Sequence, residues 1–166
     1  MSDPLNHLLA TDQRETLQFF FSSLRDVTAG EDIDSNALLY NASVLAHFAS
    51  TSRFSPDSLP ALPGLGDVFD RFVADPSVRH DTEIMEWAAA HCLLFTGFFG
   101  DQFQRRHNLE WYGRLGADFY DLAAVATHVA ERKRMMERMA VEFPEWRRRY
   151  LKLARELREH PYVLFG

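Results

Sequence analysis

The sequence predicts an all-α protein, a single domain over residues 1–166 built as a bundle of six or seven helices around one buried central helix. Three observations support this fold class. Apolar residues recur at helical spacing, helix-capping residues precede these segments, and the alternation typical of strands does not recur. Of the 166 residues, 46% are hydrophobic and 14 are phenylalanine, which is enough for one sizeable core.

Two helices are predicted before a loop. Residues 12–27, "DQRETLQFFFSSLRDV", follow the candidate cap Thr11. Their apolar residues share one helical face: Leu17, Phe20, Phe21 and Leu24. Residues 36–50, "NALLYNASVLAHFAS", follow the candidate cap Ser35. The segment at about 50–66, "STSRFSPDSLPALPGLG", is predicted to be a loop because its prolines and glycines prevent a continuous helix.

The central helix is expected after a short helix over residues 67–75, "DVFDRFVAD". Asp81 or Thr82 caps a segment from Glu83 to Phe98 that is apolar nearly all round, which predicts burial on every side, Trp87 included. The only cysteine, Cys92, lies in this segment and is expected to be a buried small hydrophobe. One cysteine permits no disulfide within one chain.

The run "LLFTGFFGDQFQRRH" predicts a corner after the central helix. Gly97 is expected to end or bend that helix in the left-handed conformation, and Asp101 to favour the start of the next turn. Asn108 caps a long helix that is expected to break near His128.

The last helix is predicted to begin at Pro144, since proline is tolerated in a first helical turn. In the helix before it, Gly113 and Gly116 each cost about 1 kcal/mol relative to alanine. A close contact must compensate for this cost. We favour close helix–helix packing beside Gly116, and the alternative is a ligand that touches the backbone there.

Charge is unevenly distributed along the chain, whose net charge is −6. Residues 1–104 carry five arginines against fifteen acidic residues, whereas residues 131–166 carry ten basic residues against six glutamates. The basic tail has two candidate partners: nucleic acid, or the acidic surface of its own fold or of a second subunit. The second is favoured, because an acidic protein repels phosphate over most of its surface.

Several function classes lack their signatures. No run approaches the roughly 18 apolar residues of a membrane span, and the acidic N-terminus does not resemble a secretory signal. We therefore expect a cytoplasmic protein with no membrane partner. No glutamate has a histidine three residues on, and HExxH and paired cysteines are absent, so no metal is predicted. Without a P-loop, dinucleotide fingerprint or nucleophile elbow, no cofactor is predicted either.

Three segments carry a resemblance: "LLFTGFF" with the following "RR", "WYGRLGADFYDLA", and "MAVEFPEW". Together they resemble a group of small all-helical bacterial proteins with no assigned activity, over roughly residues 36–158. The resemblance implies the helical fold and a shared role for the glycine and aromatic positions of these segments. It implies no reaction.

The favoured functional hypothesis is a non-enzymatic interaction or regulatory protein that acts as a homodimer. Its candidate interface lies on the basic last helix, since interfaces favour tryptophan, tyrosine and arginine. The residues concerned are Trp146, Arg147, Arg148, Arg149 and Tyr150.

The alternative hypothesis is a site for a small anionic ligand, with enzymatic activity left open. One side would be a polar seam at helical spacing, formed by Asn36, Tyr40, Ser43 and His47. The other side would be the corner with Arg105, Arg106 and Tyr112, whose arginines suit a carboxylate or phosphate. Any catalysis would rest on His47 or His107 as acid or base.

Overall fold

The computed structural model describes residues 13–52, 80–104 and 108–159. These residues form α-helices and no strand, which confirms the all-α fold class. The chain divides into two compact units, Met1–Pro60 and Ala61–Gly166, and the single domain stays a prediction. The Thr11 cap, most of the loop predicted at 50–66 and the short helix at 67–75 lie outside the described residues.

The first unit contains α1 (Gln13–Val27) and α2 (Ser35–Ser52), which pack against each other. The predicted inner face of α1 is confirmed at its buried residues, Leu17, Phe20 and Leu24, while Phe21 is half-buried. Asp34, one residue before the predicted cap Ser35, caps α2 by accepting a hydrogen bond from the amide of Ala37 (3.2 Å).

The second unit begins with α3 (Thr82–Leu93), which continues as a π-helical turn (Leu94–Phe98). The helices that follow are α4 (Gly100–Phe103), α5 (Leu109–Ala126), α6 (Ala130–Val141) and α7 (Phe143–Glu159). Asp81 and Asn108 cap α3 and α5 as predicted, through bonds from the amides of Glu83 (3.0 Å) and Trp111 (3.2 Å). The predicted break near His128 is confirmed, because α5 ends at Ala126.

α3 is buried on one side and exposed on the other. It packs against α5, and its buried face consists of small or apolar residues: Met85, Ala88, Ala89, Cys92 and Leu93. Trp87 is 38% exposed and Glu83 lies on the same outer side, so the prediction of all-round burial is wrong at Trp87. Because Trp87 is apolar like the buried residues of α3, the sequence composition does not show that this side chain points outward.

Two glycines allow close crossings between helices. At Gly116, an added Cβ would lie 2.5 Å from Cζ of Phe143 and 2.8 Å from Cβ of Cys92, which confirms the predicted close packing. At Gly97, an added Cβ would lie 2.8 Å from Cβ of Tyr150 and 3.0 Å from the carbonyl oxygen of Arg147. Gly97 does not have the predicted left-handed conformation; it lies inside the π-helical turn, where α7 crosses.

Candidate functional site

The candidate interface on the last helix requires correction. Trp146 and Tyr150 are 0% exposed and Arg149 is 6% exposed, so all three belong to the interior of the second unit. They lie on the inner face of α7, where Arg149 packs over the ring of Trp146 (4.6 Å). Helical periodicity turns the tryptophan and tyrosine inward together, four residues apart. Of the predicted interface, Arg148 is exposed and Arg147 is half-buried.

Arg147 connects three elements of the second unit. Its Nε donates to the carbonyl oxygen of Thr96 (3.3 Å), which belongs to the π-helical turn. Its Nη1 donates to Oε1 of Glu110 in the first turn of α5 (3.1 Å). Because both bonds lie within the unit, Arg147 has a structural role at the crossing of α7.

Other basic residues of the tail also bind acidic residues of their own unit. Asp101 accepts two hydrogen bonds from Arg155 (2.9 Å each) and one from Arg158 (2.7 Å). The hydrogen bond from Arg155 is the largest cause that lowers the pKa of Asp101 to about 2. Arg132 of α6 pairs with Glu86 of α3. These pairs support the alternative in which the tail meets the acidic surface of its own fold.

The predicted anion site is only partly within the described residues. On α2, Tyr40 is half-buried and His47 is exposed, while the hydroxyl of Ser43 donates to the carbonyl of Leu39 (2.8 Å). Tyr112 lies in the second unit, and Arg105 and Arg106, like the neighbouring His107, lie outside the described residues. The anion site therefore stays a prediction.

The first unit has an open groove of about 520 Å³ between α1 and α2. Three apolar residues and four polar residues line the groove: Leu17, Phe21 and Leu39, and Gln18, Ser22, Ser35 and Asn36. Of the predicted polar seam, only Asn36 lines this groove.

We use the name aromatic ladder for six aromatic side chains of the second unit, which come from α3, the π-helical turn, α4 and α5: Trp87, His91, Phe95, Phe103, Tyr112 and Trp111. On α3, the rings of Trp87 and His91 lie 4.0 Å apart, and Nδ1 of His91 donates to the carbonyl of Trp87 (2.8 Å). In the π-helical turn, Phe95 packs on Tyr112 (5.0 Å). Tyr112 in turn meets Trp111 edge to face (4.9 Å).

The middle of the aromatic ladder is buried and its two ends are accessible. Phe95 is 5% exposed and stacks on Phe103 (4.2 Å), which anchors the ladder in the core. Trp87 is 38% exposed and Trp111 is 48% exposed. These two tryptophans are therefore the most exposed rings of the aromatic ladder.

The outer face of α5 carries Trp111 and further apolar side chains. Below Trp111 lie Leu115 and Leu122, both half-buried, and Val125, which is 73% exposed. Together with Trp111 they form a line of apolar side chains along the side of α5 that faces away from its buried residues. We call this line the α5 outer stripe.

Sequence reasoning named Tyr112 of the aromatic ladder as a site residue and missed the α5 outer stripe. The signal was present as the spacing of Trp111, Leu115, Leu122 and Val125, but a second apolar stripe on the same helix, through Phe119 and Ala123, is the one that is buried. Two stripes on one helix make it apolar on two sides, and only the fold shows which side is covered.

Among the residues that the structure describes, no three histidine, cysteine or acidic side chains are grouped to hold a metal ion. Within those residues, no helix combines the length and apolar character needed to cross a bilayer.

Comparison of the chain with protein-family models, with curated proteins and with solved structures gives no match. The function of this chain is therefore inferred from its own residues.

Proposed function

We propose that this protein is an interaction protein that acts as a homodimer, with the α5 outer stripe as its binding surface. One observation carries the proposal: Trp111 is 48% exposed and stands at the head of a line of apolar side chains. Such patches on the surface of a folded domain mark interaction sites. The cytoplasm, expected from the sequence, is the proposed compartment.

The energy available from this surface is substantial. Covering the exposed half of one tryptophan removes about 100 Å² from water, which stabilises a complex by about 2.5 kcal/mol. A two-fold dimer contains the same surface twice, so Trp111 alone contributes about 5 kcal/mol before the cost of association. Val125, which belongs to the same stripe and is 73% exposed, adds further apolar area.

The decisive measurement is the molar mass in solution over a range of concentrations, by sedimentation or light scattering. We expect the wild-type protein to change from monomer to dimer, and Trp111→Ala to weaken the dimer. Truncating an interface tryptophan costs at least about 2 kcal/mol per copy. Two copies then raise the dissociation constant by about 1000-fold.

A matched control separates this surface from general loss of apolar area. Val141→Ala truncates a side chain that is 82% exposed on α6 and does not belong to the α5 outer stripe. We expect its dimer to be as stable as that of the wild type, with both variants retaining the wild-type circular dichroism spectrum. A wild-type protein that stays monomeric up to about millimolar concentration, or a Trp111→Ala variant that dimerises normally, would refute the proposal.

A further inference from the structure

The α5 outer stripe has the spacing of a coiled-coil seam. Its members and the polar residue among them follow one another at intervals of four, three, four and three residues: Trp111, Leu115, Asp118, Leu122 and Val125. This is the a and d pattern over two heptads, in which a second helix packs along the line. In the same register, Arg114 and Asp121 lie at the flanking g positions, seven residues apart.

The charges along this seam are separated. Arg114 lies near the start of α5, whereas Asp118 and Asp121 lie further along it, with Glu137 of α6 close enough to act on Asp121. Burial is the largest cause that raises the pKa of Asp121, followed by repulsion from Asp118 and Glu137. Within residues 80–104 and 108–159, neither Arg114 nor Asp118 forms an ion pair. The cation therefore lies in the first half of the seam, one helical turn before Asp118, and the carboxylates lie at its middle and in its second half.

We propose that α5 of one copy packs antiparallel against α5 of a second copy about a two-fold axis, with Arg114 of each copy facing Asp118 and Asp121 of the other. This inference rests on the proposed function as a homodimer. It adds the helix that forms the contact, its direction and the residues that set its register.

The antiparallel direction follows from charge. In a parallel, in-register pair, Arg114 would face Arg114 and the aspartates would face aspartates, and like charges at an interface cost energy. In the antiparallel pair with Leu115 beside Asp118 of the second copy, Trp111 lies beside the second copy's Leu122. Along the helix axis, Arg114 of one copy is then offset by no more than about 3 Å from Asp118 and Asp121 of the second copy, since each residue rises about 1.5 Å. An arginine side chain spans that offset.

The experiment is a charge exchange between two variants, Arg114→Glu and Asp118→Arg. Each variant alone places like charges opposite each other twice in its dimer, so we expect each to dimerise at least tenfold more weakly than the wild type. An equimolar mixture restores opposite charges on both sides of the axis, so we expect heterodimers to form preferentially. For the same reason, the double variant carrying both changes in one chain should dimerise more tightly than either single variant, although less tightly than the wild type because Asp121 then faces a glutamate.

Arg134→Glu is the matched control, since Arg134 is an exposed arginine on α6 outside the seam. Sedimentation velocity on a fluorescently labelled variant mixed with its unlabelled counterpart distinguishes heterodimers from homodimers, and circular dichroism verifies that each variant is folded.

Three results would overturn the inference. A mixture that forms no heterodimer refutes the cross-paired charges. A wild-type dimer that is weakened by Trp111→Ala but unaffected by every charge variant leaves the homodimer standing and rejects the antiparallel α5 pair, whereas a wild-type monomer rejects both.

Discussion

The crossing of α7 over Gly97 gives the sharpest stability prediction. Replacing Gly97 with alanine places a Cβ 2.8 Å from Cβ of Tyr150, 3.0 Å from the carbonyl oxygen of Arg147 and 3.3 Å from its Cα. None of these atoms is the far end of a flexible side chain, so the two helices must move apart. The same change at Gly100 meets only Leu151 Cδ1 at 3.6 Å and Leu109 Cδ1 at 3.9 Å.

The magnitude follows from two opposing effects. Overpacking of a well-packed interior costs about 1–3 kcal/mol, and contact with the backbone puts Gly97→Ala at the upper end of that range. Alanine recovers about 1 kcal/mol relative to glycine in a helix. We therefore expect Gly97→Ala to lower the free energy of unfolding by about 2 kcal/mol, and Gly100→Ala to leave it unchanged or slightly raised.

Urea unfolding, followed by the fluorescence of the buried Trp146 beside the crossing, measures the difference. With a slope of about 2 kcal/mol per molar urea, the midpoint of Gly97→Ala falls by about 1 M. The reasoning fails if Gly97→Ala unfolds at the same urea concentration as Gly100→Ala, because the two differ only in what the new methyl group meets.

Three further predictions concern single side chains. Arg147→Ala removes the hydrogen bonds of this side chain within the unit and lowers the free energy of unfolding by about 1–2 kcal/mol. In the same urea titration, Arg148→Ala, at the exposed neighbouring residue, changes the free energy of unfolding by less than about 0.5 kcal/mol. Equal effects of the two variants would contradict the structural role of Arg147. Because burial raises the pKa of the Cys92 thiol to about 12, we expect iodoacetamide to modify it at pH 8 only slowly in the folded protein and rapidly in urea, as followed by mass spectrometry. The pKa of Asp101 is lowered from 3.8 to about 2, so its bonds to arginine stabilise the fold above about pH 4 and are lost as the pH falls towards 2. Asp101→Asn should accordingly show a flatter dependence of the urea midpoint on pH between 4 and 2, and an unchanged slope would count against this contribution.

Local signals predicted the helices well. The caps at Asp81 and Asn108 and the break after Ala126 depend on a few neighbouring residues, and the structure has them where the sequence indicates. The cap of α2 moved by one residue, from Ser35 to Asp34, because both side chains can accept the same kind of amide bond.

Tertiary relations were harder to predict. Gly97 was expected to end a helix through its conformational freedom, yet the glycine is needed for its lack of a side chain where α7 crosses. Trp146 and Tyr150 were expected at an interface because of their residue types, but their position on α7 turns them into the core. Residue type indicates that a surface can bind, whereas only the packing of distant segments shows which side is left open.

The contact between Arg147 and Thr96 has a consequence for synthesis on the ribosome, because it joins residues 51 positions apart. The π-helical turn leaves the exit tunnel well before the helix that covers it has been translated. At about 5–20 residues per second, Leu94 and Phe98 wait roughly 3–10 seconds for α7. During that interval their apolar surface is open to chaperones and to other nascent chains, so the yield of folded protein should depend on how quickly the segment between the π-helical turn and α7 is translated.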